Sequence, residues 1–319
     1  MGTVVVSGAK NVALKTLVAA CLTDEEVIIE NIPLISDFMV MVNIIREFGG
    51  TVKIKDHIAY IQVKSLKLKK ISLEEAAKIR TSSMLMAPLL VRLHRAIIPN
   101  PGGCRIGARP IDRTIDGLNA MGAETAYNSD DGYFYIKANN KIITKNGTIT
   151  YKFGKSTHTG TETLIMASVL SRRKTVLENA AEEPEIDELI ALLNKMGANI
   201  ERARRRAIVI KGVEKLRGCR FKIGLDRNEI VTFAVAGIAT RGDVFIKNAN
   251  TVDLSTFLQK LKVARAGYEI KKNGIRFFYK EPLKSTDIET SIYPGFMTDW
   301  QGPWSILMTQ ADGVSIIHE

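Results

Sequence analysis

Apolar positions along the chain switch repeatedly between two periods. The stretches FMVMVNIIREFG (38–49), IDRTIDGLNAMG (111–122), EIDELIALLNKMG (185–197) and LSTFLQKLKVARAG (254–267) repeat their apolar residues every three or four positions, the signature of a helix with one buried face. Each is followed by an alternating run that predicts a half-buried strand: VKIKDHIAYIQV (52–63), GYFYIKA (132–138), RRAIVIKG (205–212) and IRFFYK (275–280). At each helix end stands a glycine, Gly49, Gly122, Gly197 or Gly267, at spacings of 73, 75 and 70 residues. Glycine there predicts the left-handed turn that lets a helix reverse into a strand. Upstream of three of these helices recurs a second piece, a helix of small apolar residues followed by a strand and a polar turn. It reads NVALKTLVAACLT with EEVIIENIP, TETLIMASVLS with RKTVLENAA, and EIVTFAVAGIAT with GDVFIKNAN.

Each unit therefore holds about two helices and several strands. A period of this length exceeds the common solenoid repeats, so the units are expected to pack into pseudo-symmetric globular domains of mixed α/β class. A fifth unit begins at FMTDWQGPWSILMTQADGVSIIHE (296–319). With 319 residues, 45% hydrophobic and 25% charged, the chain is long enough for two domains with substantial cores.

Charge and special residues narrow the function classes. The net charge of +11 favours anionic ligands. The basic runs ERARRRAIVIKG and SLKLKK lack interleaved aromatic residues, so they read as solvated faces, a strand-entry turn and an exposed edge, rather than a nucleic-acid groove. No apolar run approaches the roughly 18 residues of a membrane helix, and a cytoplasmic protein with no membrane insertion is expected. Three cysteines, Cys21, Cys104 and Cys219, form no CxxC pair, and four histidines lie scattered, so neither a disulfide framework nor a metal site is expected. GKST at 154–157 fails as a phosphate loop because its leading glycine would have to replace Ile149.

One thiol stands apart. Cys104 follows Gly102 and Gly103 and precedes Arg105 and Arg109, a setting of backbone freedom and positive charge. Its surrounding loop, PNPGGCRIGARPIDRTIDGLNAMGAE, occurs in family order with SGAKNVALKTLVAACLT, ENAAEEPEIDEL, LDRNEIVTF and FMTDWQ. Together these five segments, from about residue 4 to residue 319, resemble the UDP-N-acetylglucosamine 1-carboxyvinyltransferase branch of the enolpyruvyl transferases. The resemblance implies a two-domain fold, each domain an inside-out α/β barrel of repeated α/β folding units. Domain one would span 10–224, and domain two 1–9 with 225–319, the second domain incomplete at its C-terminus.

The activity implied is transfer of the enolpyruvyl group of phosphoenolpyruvate to the 3-hydroxyl of UDP-N-acetylglucosamine, without metal or organic cofactor. Such chemistry needs an acid, a base and several cations. The resemblance assigns Cys104 as proton donor, able also to form a transient adduct, and Asp299 as acceptor of the hydroxyl proton. A second reading of TDWQGPWSILM is that Thr298 or Asp299 caps a helix start. By the same comparison Lys10, Arg80 and Arg109 contact phosphoenolpyruvate or nearby phosphates, with Asn11 beside them. Asp112, Arg113, Thr159, Gly160 and Arg227 lie near the uridine, the diphosphate or the domain hinge, and Glu183 or Glu185 on the adjoining wall.

Two positions depart from the family pattern: Thr114 where histidine is usual, and His158 where a small residue is commoner. A full set of six units would need on the order of 100 further residues, the part that in the family closes on phosphoenolpyruvate. Three forms are therefore open: a piece of a longer product, one half of a split enzyme whose missing C-terminal segment another chain supplies, and a non-catalytic sugar-nucleotide-binding paralogue.

Overall fold

Sheets carry the repeat. In the computed structural model, which describes residues 2–101, 111–138 and 147–319, the chain opens with β1 (Gly2–Val4) and runs through α1 (Lys10–Ala20), β2 (Val27–Glu30), α2 (Ser36–Glu47) and the hairpin of β3 (Thr51–Lys55) and β4 (Ile58–Gln62). Next come α3 (Leu73–Lys78), a 3-10 segment (Arg80–Leu85), α4 (Met86–Leu93), β5 (Arg95–Pro99), α5 (Asp112–Met121) and the hairpin of β6 (Ala123–Asn128) and β7 (Tyr133–Ala138). A third pass gives β8 (Thr148–Lys152), α6 (His158–Ser168), β9 (Lys174–Glu178), α7 (Pro184–Lys195), β10 (Asn199–Arg204), β11 (Ala207–Lys211) and β12 (Arg220–Lys222). The fourth holds α8 (Arg227–Ala239), β13 (Asp243–Lys247), α9 (Ser255–Val263), β14 (Gly267–Lys271) and β15 (Gly274–Phe278). Short strands and a 3-10 turn (Thr298–Trp300) then lead into α10 (Gln301–Met308).

Three sheets share one plan, with strand orders β12-β2-β4-β3, β8-β9-β11-β10 and β1-β13-β15-β14. In each, the first pair is parallel and the rest antiparallel. The strand before the outer helix is followed each time by an asparagine in the left-handed region, Asn31, Asn179 or Asn248, with φ of 63°, 52° and 62°. Asparagine tolerates that conformation better than most side chains. The chain forms two compact units, Lys10–Ile223 and Met1–Ala9 with Gly224–Glu319.

Within the larger unit the helices differ by position. Every residue of α1 from Val12 to Ala20 is buried, as is every residue of α6 from Gly160 to Ser168, so these helices are covered on all sides and lie inside. The helix α2 instead buries one face, Phe38, Met41, Val42, Ile44 and Ile45, and strands such as β3 alternate exposed with buried residues. Both inner helices pack mainly on other helices, α1 on α2, α7 and the 3-10 segment, and α6 on α4, α5 and α7. In the smaller unit the core gathers around Phe257, Phe277, Phe296, Trp300 and Trp304.

Two sequence expectations change here. The run SLKLKK forms no strand: Leu66 turns inward, Lys67 N–H donates to the Phe48 carbonyl, and Lys70 reaches Asp131 at 2.9 Å. Its alternation therefore marks one anchored leucine on a strap, not a ladder. The glycine rule also fails once. Gly49, Gly122 and Gly197 take φ of 95°, 105° and 102°, but in the fourth unit the left-handed residue is Arg265, at 62°. Its N–H donates to Lys262 O and that of Ala266 to Leu261 O, the same two-bond closure that Gly49 and Gly50 make. Gly267 lies two residues later for another reason, since a Cβ there would meet the Phe278 ring at 2.5 Å. Because a non-glycine residue in this conformation costs about 1 kcal/mol, Arg265→Gly is expected to raise the melting temperature of the protein; a lowered value would contradict this account.

Candidate functional site

Most of the residues singled out from the sequence stand at the N-terminal ends of helices in the larger unit. Lys10 and Asn11 begin α1, and Lys10 Nζ lies 3.6 Å from Asp37 Oδ2 in the first turn of α2. Arg80 begins the 3-10 segment, whose start is held by Ser82 and Ser83 hydroxyls donating to the carbonyls of Ile79 and Arg80. Asp112 and Arg113 open α5, where the Arg113 carbonyl accepts from the Tyr151 hydroxyl at 3.0 Å. Thr159 and Gly160 sit in the first turn of α6, capped by Thr157, whose hydroxyl accepts from Gly160 N–H at 3.3 Å. Unpaired amide groups and the helix dipole make such ends receptive to anions.

Packing draws these ends together. A Cβ at Gly160 would lie 3.2 Å from Thr114 Oγ1, and one at Gly117 would collide with the Leu164 side chain, so α5 and α6 pack closely at these two glycines. Thr114 and Gly160 therefore fill neighbouring positions, and the departure at 114 places a small hydroxyl against the first turn of α6. The 3-10 segment bearing Arg80 packs on both α1 and α6. Thr161 Oγ1 accepts from Ala181 N–H at 3.0 Å, which fastens α6 to the loop before Glu183 and Glu185. Glu183 starts α7 without a side-chain cap, and Glu185 is buried in its first turn.

A charged cluster inside this unit escaped the sequence reading. Glu162, fully buried on α6, lies 3.4 Å from Lys15 Nζ on α1 and 3.2 Å from His158 Nε2, with the lysine side chain only 7% exposed. None of these contacts is aligned as a hydrogen bond, and the Lys15–Glu162 ion pair holds the cluster. It ties the helix that starts at Lys10 to the helix that carries Thr159 and Gly160, and it turns the His158 ring toward the protein. The available signal was a lone lysine inside NVALKTLVAA and a lone glutamate inside TETLIMAS, each a charge in an otherwise small or apolar helix.

Arg227 and Asp299 belong to the smaller unit. Asp226 caps α8, accepting from the N–H groups of Asn228 and Glu229, and Glu229 in turn holds the N–H and hydroxyl of Ser7. Buried Arg227 places its guanidinium 5.2 Å from the Tyr293 ring and 5.9 Å from Trp300. Asp299 is exposed in the 3-10 turn, and its Oδ2 accepts from Asn228 Nδ2 at 3.2 Å. The capping role read for Thr298 or Asp299 is not observed: that turn follows Met297 with no side-chain cap, because the Asp299 carboxylate is directed to Asn228 instead.

Cys104 and Arg109 lie outside the described residues. The other two thiols are held more strongly protonated than a free cysteine. Burial pushes the Cys21 thiol up to about 12, and burial also raises that of half-buried Cys219.

Comparison with known proteins decides the family. The sequence model of the EPSP synthase (3-phosphoshikimate 1-carboxyvinyltransferase) family matches residues 1–319. The chain belongs to this family of enolpyruvyl transferases. Within it, the chain is 41% identical to the UDP-N-acetylglucosamine 1-carboxyvinyltransferase of Acidobacterium capsulatum, over all of this chain and 73% of the relative. The protein of the same name from Koribacter versatilis is 40% identical with the same coverage, and one from Caldanaerobacter subterraneus subsp. tengcongensis 41%, over 75% of its length. Among solved structures, the enolpyruvyl transferase NikO from Streptomyces tendae superposes with a TM-score of 0.84 at 19% identity, covering 99% of this chain and 75% of that one. EPSP synthase from Acinetobacter baumannii follows at 0.70 and 16%, covering 99% and 73%. These structures establish the enolpyruvyl transferase α/β fold, whose repeated units account for the glycine period of the sequence.

Proposed function

We propose that this enolpyruvyl transferase moves the enolpyruvyl group of phosphoenolpyruvate to the 3-hydroxyl of UDP-N-acetylglucosamine and releases phosphate, a step of peptidoglycan synthesis. Identity of about 40% along the whole chain with relatives of that name carries the reading. In the reaction, carbon 3 of the enol gains a proton and carbon 2 becomes electrophilic. The sugar oxygen bonds to carbon 2 as its proton leaves; loss of phosphate and of a carbon 3 proton then restores the double bond. Cys104 is the proton donor in this reading, and Asp299 accepts from the sugar hydroxyl. Lys10, Arg80 and Arg109 hold the anionic groups of phosphoenolpyruvate, with Asn11 beside them. Asp112, Arg113, Thr159, Gly160 and Arg227 serve the nucleotide. Support comes from the helix ends that present the described members of this set, since an amide-rich N-terminus favours phosphate and carboxylate. Arginine's planar fork suits the same groups.

The reading also places the protein in the cytoplasm, acting on small molecules for wall growth and so for cell shape and division; among the described residues no helix is long and apolar enough to cross a membrane. Phosphate release from phosphoenolpyruvate tests it. Release is expected with UDP-N-acetylglucosamine as acceptor and not with 3-phosphoshikimate. Release with 3-phosphoshikimate would transfer the chain to the other branch, and sugar-nucleotide binding without turnover would make it a binding paralogue.

A further inference from the structure

Asn228 is joined to two side chains about 70 residues away in sequence. Its Oδ1 accepts from Trp300 Nε1 at 2.9 Å, and its Nδ2 donates to Asp299 Oδ2 at 3.2 Å. An indole N–H can only donate and a carboxylate can only accept, so the amide has one orientation that serves both. The indole cannot turn away, because Trp300 is 1% exposed and packed edge-on against Phe257 and Phe296 with ring centroids 6.0 Å and 5.6 Å apart. The backbone of Asn228 is held as well, its N–H donating to Asp226 Oδ1 at 2.8 Å. A rigid aromatic core thus sets the direction of one amide, and that amide meets an exposed carboxylate on a short turn.

We infer that Asn228 is a positioning residue: it fixes the Asp299 carboxylate, leaving the second oxygen to receive the acceptor hydroxyl, and Trp300 acts through it. This rests on the reading of Asp299 as the proton acceptor. A carboxylate that must accept a proton in the transition state works only from a fixed geometry, and loss of orientation lowers turnover more than binding.

The test uses the whole chain and phosphate release with both substrates. Asn228→Leu keeps the size and removes the donor; it is expected to lower kcat on the order of tenfold to a hundredfold while both KM values stay within about twofold. Trp300→Phe keeps an aromatic ring but frees the amide to turn over, and a smaller loss in kcat is expected. The double variant Asn228→Leu/Trp300→Phe should turn over no more slowly than Asn228→Leu, since the indole has nothing left to orient. An unchanged kcat in Asn228→Leu, a rise in KM alone, or losses that multiply in the double variant would overturn the inference. If Asn228→Leu fails to fold, an unaltered kcat in Trp300→Phe overturns it alone. Asp299→Asn separates the two ideas. Should it retain full turnover, the reading of Asp299 fails; should it be inactive while Asn228→Leu is normal, only the role of Asn228 fails.

Discussion

Glu162→Leu is expected to destabilise the larger unit by about 3–5 kcal/mol, and Lys15→Met by a similar amount. The reason is burial: the carboxylate is fully enclosed and the lysine side chain is 7% exposed, so removing either partner strands a charge away from water. The double variant Lys15→Met/Glu162→Leu should recover most of the loss, because apolar side chains of similar size leave no charge uncompensated. His158, being partly exposed, can reach water when Glu162 is removed and contributes less. Exposed pairs such as Lys78 with Glu74 should give little in the same assay. Unfolding in urea followed by backbone circular dichroism is the measurement. Indole fluorescence is unsuitable, since Trp300 and Trp304 both belong to the smaller unit. Losses that simply add in the double variant would show that Lys15 and Glu162 do not sense each other.

Cys104→Ala is expected to lower phosphate release by about 10²- to 10⁴-fold, the range for loss of a positioned proton donor. The sequence argument is the GGC loop among arginines, and the family resemblance supplies the role. Chemical labelling offers an independent measure that does not need turnover. An epoxide carrying a phosphonate should add one mass increment at Cys104, where neighbouring cations attract the anionic reagent. Cys21 should stay unmodified because it is fully buried with its thiol pushed up to about 12. Labelling at Cys219 with none at Cys104, or full phosphate release by Cys104→Ala, would remove Cys104 from the mechanism.

Repetition was legible in the primary structure because helices and strands impose their own short periods on apolar residues. The glycines at 49, 122 and 197, the buried helix around TETLIMAS and the alternating run at RRAIVIKG each appear where the pattern puts them. Local geometry also explains why Arg265 was missed. A left-handed residue there is set by where the chain must turn, while Gly267 is needed two positions later by the Phe278 ring, and both facts depend on β14 lying against β15.

Motifs held close in sequence, such as GGC with its arginines or SGAKN, disclosed the family without any fold, since neighbouring residues share an environment whatever the chain does elsewhere. Partners far apart were another matter. Lys15 finds Glu162 across 147 residues, and Asn228 finds Asp299 across 71. Nothing in a one-dimensional pattern specifies which buried charge faces which, because that is settled by helix packing and side-chain direction. The primary structure alone thus determined repeat, fold class and family, whereas only folding in three dimensions decided how buried charges are neutralised and which amide meets the Asp299 carboxylate.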